Sequence, residues 1–270
     1  MKTELNFIFS SGFRCCSVNF LEKYELRKIA SPFDAMYIDL ETCFELVQNR
    51  LRNFLTDIAV IDFRNKTQDL LYSTYTAEVN PKLRILMEDY HWYMGNIYDY
   101  HIINQNFLDN VVSNMYDWTR ICVFHHNHIT DTAVYDTIKN RCNRMNYITA
   151  NYEASRIALF CISRIISCTD IDQYIQEIIE QKRRHNIQNW LIYIICSDTI
   201  SRCHRYVEHE QCLFIIKQVD NYEYQKARFN IENDVVSNNY NYDDEYNTML
   251  QYFDFKLIDK STVDVNRQSV

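Results

Sequence analysis

Leu5-Asn6-Phe7-Ile8-Phe9-Ser10-Ser11-Gly12-Phe13-Arg14-Cys15 is the stretch from which the rest of the chain can be read. A short apolar run closed by a Ser-Gly pair predicts a buried strand that ends in a tight turn. Cys16 to Arg27 follows, with Val18, Phe20, Leu21, Tyr24 and Leu26 at helical spacing. The order is therefore strand, glycine turn, helix, with Cys15 at the helix start. Gly12 is one of only two glycines in the chain, which also has only two prolines. A glycine kept in so glycine-poor a sequence answers a backbone need, such as positive φ or close approach. A thiol at a helix start faces the positive end of the macrodipole and free backbone N–H groups, which favour a thiolate and can hold an oxyanion. The plainer alternative is a small hydrophobe filling the strand–helix junction, and Cys16, at the start of the apolar helical face, reads as its buried neighbour.

Working outward, Ser31-Pro32-Phe33-Asp34 predicts a turn and Asp39 an N-cap for a helix through about Phe54. A strand is expected over 58–61 and a helical stretch over 82–93. Arg120-Ile121-Cys122-Val123-Phe124 reads as a strand running into His125-His126-Asn127-His128, with Thr130 or Asp131 capping the helix that carries Val134, Ile138, Arg141, Met145 and Ile148. Strands over 157–162, 190–196 and 212–216 then alternate with a helix over 171–183. An Asn- and Tyr-rich loop over 230–244 and a last helix over 245–253 follow. Near-continuous apolar strands alternating with helices predict an α/β fold, a three-layer domain with a largely parallel central sheet. Strands near 6–10, 120–124, 157–162 and 190–195 are expected side by side. One domain is expected over 1–259, with 260–270 a frayed, flexible tail.

Of the 270 residues, 47% are hydrophobic and 14% aromatic, enough for a large core. A net charge of -8 argues against nucleic acid as a partner, since phosphate-backbone binding wants a basic face. The basic cluster Lys182-Arg183-Arg184-His185 ends a predicted helix, where cations suit the dipole. No apolar run approaches the ~18 residues of a membrane span. Ten cysteines without a signal peptide, several of them in apolar runs, imply reduced thiols and a cytoplasmic location.

Residues just past the carboxyl ends of parallel strands line the crevice of an open α/β sheet. Cys15 and a histidine of the 125–128 cluster can meet there as nucleophile and base. The alternatives are a polar loop, or His126 and His128 as metal ligands. Cys196, Cys203, His204, His209 and Cys212 are zinc-compatible types at a spacing that matches no standard ligand pattern. Dinucleotide and phosphate-loop readings fail because their glycines are missing. No cofactor or metal is expected.

Ser11-Gly12-Phe13-Arg14-Cys15, Leu26-Arg27 and Ser31-Pro32-Phe33-Asp34 together resemble the opening of an uncharacterised family described as putative papain-like cysteine peptidases. That family opens with a strand, a Ser-Leu-Gly-x-x-Cys turn, a helix ending in Leu-Arg, and Ser-x-Pro-Phe-Asp-Trp. Phe124-His125-His126-Asn127 ahead of Arg141-Cys142-Asn143-Arg144, with a strand leading to Arg164, matches its second motif. Ser11 in place of Leu, Ala35 in place of Trp and Met145 in place of Phe depart from the pattern. The resemblance implies Cys15 as nucleophile and His126 as general base, with His125 the second choice and Asp34 or Asn127 orienting the imidazole. It gives Arg27, Arg141 and Arg144 either an anionic substrate group or ion pairs between helices. It also offers an irregular α+β papain-like arrangement as the alternative fold. The implied substrate is a peptide or another acyl or amide compound. The competing class is a non-catalytic interaction or scaffold protein on the same fold.

Overall fold

The computed structural model describes residues 2–12, 15–34, 36–56, 58–62, 100–104, 122–124, 129, 131–165, 170–197, 205–219 and 241–268. The elements are β1 (Thr3–Leu5), β2 (Phe7–Ser10), α1 (Cys15–Lys23), β3 (Tyr37–Ile38), α2 (Leu40–Gln48), β4 (Ile58–Asp62), β5 (Tyr100–Asn104), β6 (Cys122–Val123), α3 (Thr132–Asn151), β7 (Ile157–Ile165), α4 (Ile171–Arg184), β8 (Trp190–Ser197), β9 (Arg205–His209), β10 (Cys212–Gln218), α5 (Asp243–Tyr252), β11 (Phe253–Phe255) and α6 (Lys260–Gln268). The expected helix over 82–93 lies outside the described residues.

The central sheet has the order β2-β7-β8-β10-β9. Its first four strands run parallel, and β9 closes the edge antiparallel. Because side chains alternate across a strand, β8 feeds two cores at once. Leu191, Tyr193 and Ile195 join Phe7, Phe9, Leu159 and Phe214 under α2, α3 and α4. Trp190, Ile192, Ile194 and Cys196 join Ile8, Phe160 and Leu213 under Phe20 and Leu21 of α1 and Met249 of α5. Helices on both faces make the three layers that the apolar strands predict.

Two expectations need correcting. Of the run over 120–124, the described strand Cys122–Val123 does not join the central sheet. Cys122–Val123 pairs antiparallel with β3 in a second sheet of order β3-β6-β5-β4. Cys122 and Phe124 are buried in the same core as Phe9, Phe33 and Phe54, so this short run packs over the central sheet instead of within it. An apolar run looks the same in sequence either way. Nor are residues 260–268 a frayed tail: they form α6, with Val263 fully buried and Asp264 paired with Arg144 of α3.

Local signals hold where side chains cap backbone. Asp39 caps α2 by accepting from Thr42 N at 2.8 Å, Asp131 caps α3 and Asp170 caps α4. The α2 helix stops at Gln48, short of Phe54, because Arg50 (φ 54°) and Leu51 (φ 57°) turn left-handed. The basic end of α4 is satisfied by Glu210, which accepts from Arg183, and by Glu41, which accepts from Arg184 at 2.5 Å.

The β9–β10 hairpin turns through Glu210 (φ 47°) and Gln211 (φ 58°), both left-handed, as a two-residue turn of this kind requires. A side chain costs roughly 1–2 kcal/mol there. Gln211→Gly keeps the Glu210 contacts and is expected to stabilise the fold by about 1 kcal/mol. The check is a higher urea midpoint at unchanged slope; a lower midpoint contradicts the turn's role.

Candidate active site

The site begins at the carboxyl end of β2. Ser11 donates both its N–H (2.9 Å) and its Oγ (3.0 Å) to Phe160 O, extending the β2–β7 ladder by one residue. Gly12 then turns at φ 88°, and a Cβ there would overlap Ile38 Cγ2. The backbone need inferred for this glycine is thus both a positive φ and a close approach. The α1 helix starts at Cys15, three residues on. Ser17 fastens its first turn: its Oγ donates to Gly12 O (3.1 Å) and accepts from Ile162 N (3.0 Å). Ser17 is fully buried. It went unnoticed in the sequence, where its only mark is one hydroxyl within an apolar helical run.

The turn over 31–34 folds onto the same point. Ser31 Oγ donates to Ser10 O at 2.7 Å and accepts from Phe33 N at 3.1 Å. Asp34 Oδ2 accepts from Arg27 Nε (3.1 Å), Arg27 Nη2 (2.7 Å) and Ser31 N (3.1 Å). Arg141 reaches over from α3, with Nη1 3.5 Å from Ser31 O and 3.9 Å from Asp34 Oδ2. Burial lifts the Asp34 carboxyl above its ordinary value, against the pull of the Arg27 guanidinium. Burial works to lower Arg27, but Asp34 and Glu22 hold its guanidinium above the ordinary value. The three arginines singled out in the sequence therefore separate: Arg27 and Arg141 converge on Asp34, while Arg144 forms a two-pronged pair with Asp264.

Gly12 rests on Ile38, and Ile38 is the register partner of Cys122 in β6. The strand that leads to the histidine cluster is thus stacked beside the turn that leads to Cys15. His125, His126, Asn127 and His128 lie outside the described residues, as does the Cys15 side chain.

Burial pushes up the described thiols on the sheet and the helices around it. Cys142, Cys161 and Cys196 rise to about 12 and Cys212 to about 11. Cys43 and Cys122 are also lifted well above an ordinary thiol by burial. Cys196 pairs in register with Lys217, five residues along β10 from Cys212. The two sulfurs therefore sit about 16 Å apart along the strands and cannot share one ion. His209 is exposed, and Cys203 and His204 lie outside the described residues.

A strand–turn–helix unit with a cysteine at the helix start, on a largely parallel sheet, defines a mixed α/β protein. Residues 6–195 match the family model described as "Putative papain-like cysteine peptidase (DUF1796)". The chain belongs to this family. Neither a search of curated proteins nor one of solved structures found a match. Among the described residues no helix is long and apolar enough to cross a membrane.

Asp34→Asn leaves Arg27 and Arg141 around a neutral amide. With Arg27 a quarter exposed, the expected loss is about 2–3 kcal/mol of stability, somewhat under that of a fully buried pair. Urea unfolding checks it, and a change below about 0.5 kcal/mol contradicts a structural role for the cluster.

Proposed function

We propose that the chain is a cysteine-dependent hydrolase or acyltransferase of papain-like type, acting on a peptide or another acyl or amide substrate. Cys15 is the nucleophile and His126 the general base, with His125 the second choice. Asp34 or Asn127 orients the imidazole. The observation that carries the reading is the Gly12 turn: it starts a helix at Cys15 and packs against Ile38, beside the strand that runs on to His125 and His126. Family membership over residues 6–195 supports the same chemistry.

In this reading the imidazole draws the thiol proton and the thiolate attacks the substrate carbonyl carbon. Backbone N–H groups of the first turn of α1 hold the oxyanion. The imidazolium then protonates the leaving amine as the C–N bond breaks, leaving an acyl-thioester. Water or an acceptor amine, deprotonated by the same imidazole, releases the acyl group. The scheme takes the thiols to be reduced, as in the cytoplasm.

A thiol with a helix terminus and an imidazolium beside it has its pKa depressed from about 8.5 to between about 3.5 and 7.5. Limiting iodoacetamide at about pH 6 is expected to label Cys15 first, because the buried thiols stay protonated far above that pH. His126→Ala is expected to slow that labelling by about tenfold or more. Peptide mapping reads both outcomes. Labelling of Cys15 no faster than that of Cys16, or a rate unchanged in both His125→Ala and His126→Ala, overturns the catalytic reading in favour of a non-catalytic interaction or scaffold protein.

A further inference from the structure

Between α3 and α6 lies a cavity of about 400 Å³ whose walls are mainly cations: Arg141 and Arg144 from α3, and Lys260 and Arg267 from the two ends of α6, with Thr137 and Asn140 completing it. The charges there are only partly matched. Asp264 holds Arg144 through Nε and Nη2, which leaves Nη1 without a hydrogen-bond partner among the described residues. Arg141 shares Asp34 with Arg27, at the longer distance of 3.9 Å. Among the described residues neither Lys260 nor Arg267 has a carboxylate within ion-pair distance. Lys260 also stands in the first turn of α6, the end where the helix dipole disfavours a cation. Asp264 is shared among Arg144, Arg267 and Lys260, and Asp34 between Arg27 and Arg141, so among the described residues the cations around this cavity outnumber the carboxylates that face them.

We propose that this cavity binds a soluble small molecule carrying two or more phosphate groups. Arginine forks match phosphoryl oxygens in pairs, and two arginines with two further cations suit a ligand with several such groups. The cavity's one aliphatic wall residue is Ala30 and it has no aromatic one, so it offers charge and hydrogen bonds but no stacking surface for a base. The proposal stands on the cavity's own residues and does not rest on the Cys–His reading. Arg141 links the two regions, because it also contacts Ser31 O in the turn that anchors Ser10.

The test is calorimetric titration of the full chain with sodium tripolyphosphate, with citrate as a carboxylate comparator. Binding in the micromolar range is expected for tripolyphosphate, much weaker binding for citrate, and weakening as salt rises from about 50 mM to about 200 mM. Lys260→Ala with Arg267→Gln removes two cations whose contact with Asp264 is only long-range, and is expected to weaken binding by about tenfold or more at nearly unchanged thermal stability. Lys139→Ala, an exposed change on the same helix but outside the cavity, is expected to leave affinity unchanged. No heat up to millimolar tripolyphosphate, equal affinity for citrate, or equal weakening by Lys139→Ala overturns the proposal.

Discussion

The architecture turns on the close approach of Gly12 to Ile38. Gly12 continues the edge strand of the central parallel sheet, and Ile38 belongs to the antiparallel sheet that packs over it. A Cβ at position 12 would occupy the space of the isoleucine side chain, and φ 88° is a conformation that side-chain-bearing residues resist. The contact fixes how the two sheets meet. Since Ile38 lies across from Cys122, it also fixes where the strand toward the histidine cluster runs relative to the helix that begins at Cys15.

Around that contact the chain has buried hydroxyls and left none idle. Ser10, Ser11, Ser17 and Ser31 are almost completely inaccessible, and each would cost free energy if unpaired. Each is instead hydrogen-bonded: Ser10 Oγ accepts from Gly12 N, Ser11 reaches β7, Ser17 bridges Gly12 and Ile162, and Ser31 donates to Ser10 O. The motif pieces that are separate in sequence, Leu26-Arg27 and Ser31 to Asp34, form one unit through the Arg27–Asp34 ion pair. A spacing that reads as a signature in sequence is, in space, one polar clamp on the Gly12 turn.

What was legible followed from local chemistry. The β2–α1 unit, the helices capped by Asp39 and Asp131, and the parallel strands β7, β8 and β10 all show as capping residues or continuous apolar runs. What was not legible depended on partners far along the chain. Cys122–Val123 is apolar enough for either sheet, and only tertiary packing assigns it to the second. The α6 helix is polar apart from Val263 and the exposed Val265, so its sequence resembles a tail until Arg144 pairs with Asp264. Left-handed residues also misled. With two glycines available, the chain turns at Glu25 and Arg50 instead, where no turn signal marks them, while Asn186 is a residue type that adopts this conformation readily. For the candidate site, the Gly12 turn and the link between Arg27 and Asp34 show in the sequence, whereas Ser17 and Ile38, which hold the turn, do not.

The most direct measurement of the central claim is a double-mutant cycle on the Gly12–Ile38 contact, read as the alkylation rate of Cys15. If this contact sets the nucleophile turn, Gly12→Ala slows the reaction by roughly tenfold to a hundredfold, as a displacement of about 1 Å does. Ile38→Ala alone then has a small effect, and adding it to Gly12→Ala restores part of the rate because the overlap is removed. A Gly12→Ala protein that folds and alkylates at the wild-type rate, or a cycle whose two changes are simply additive, contradicts the account.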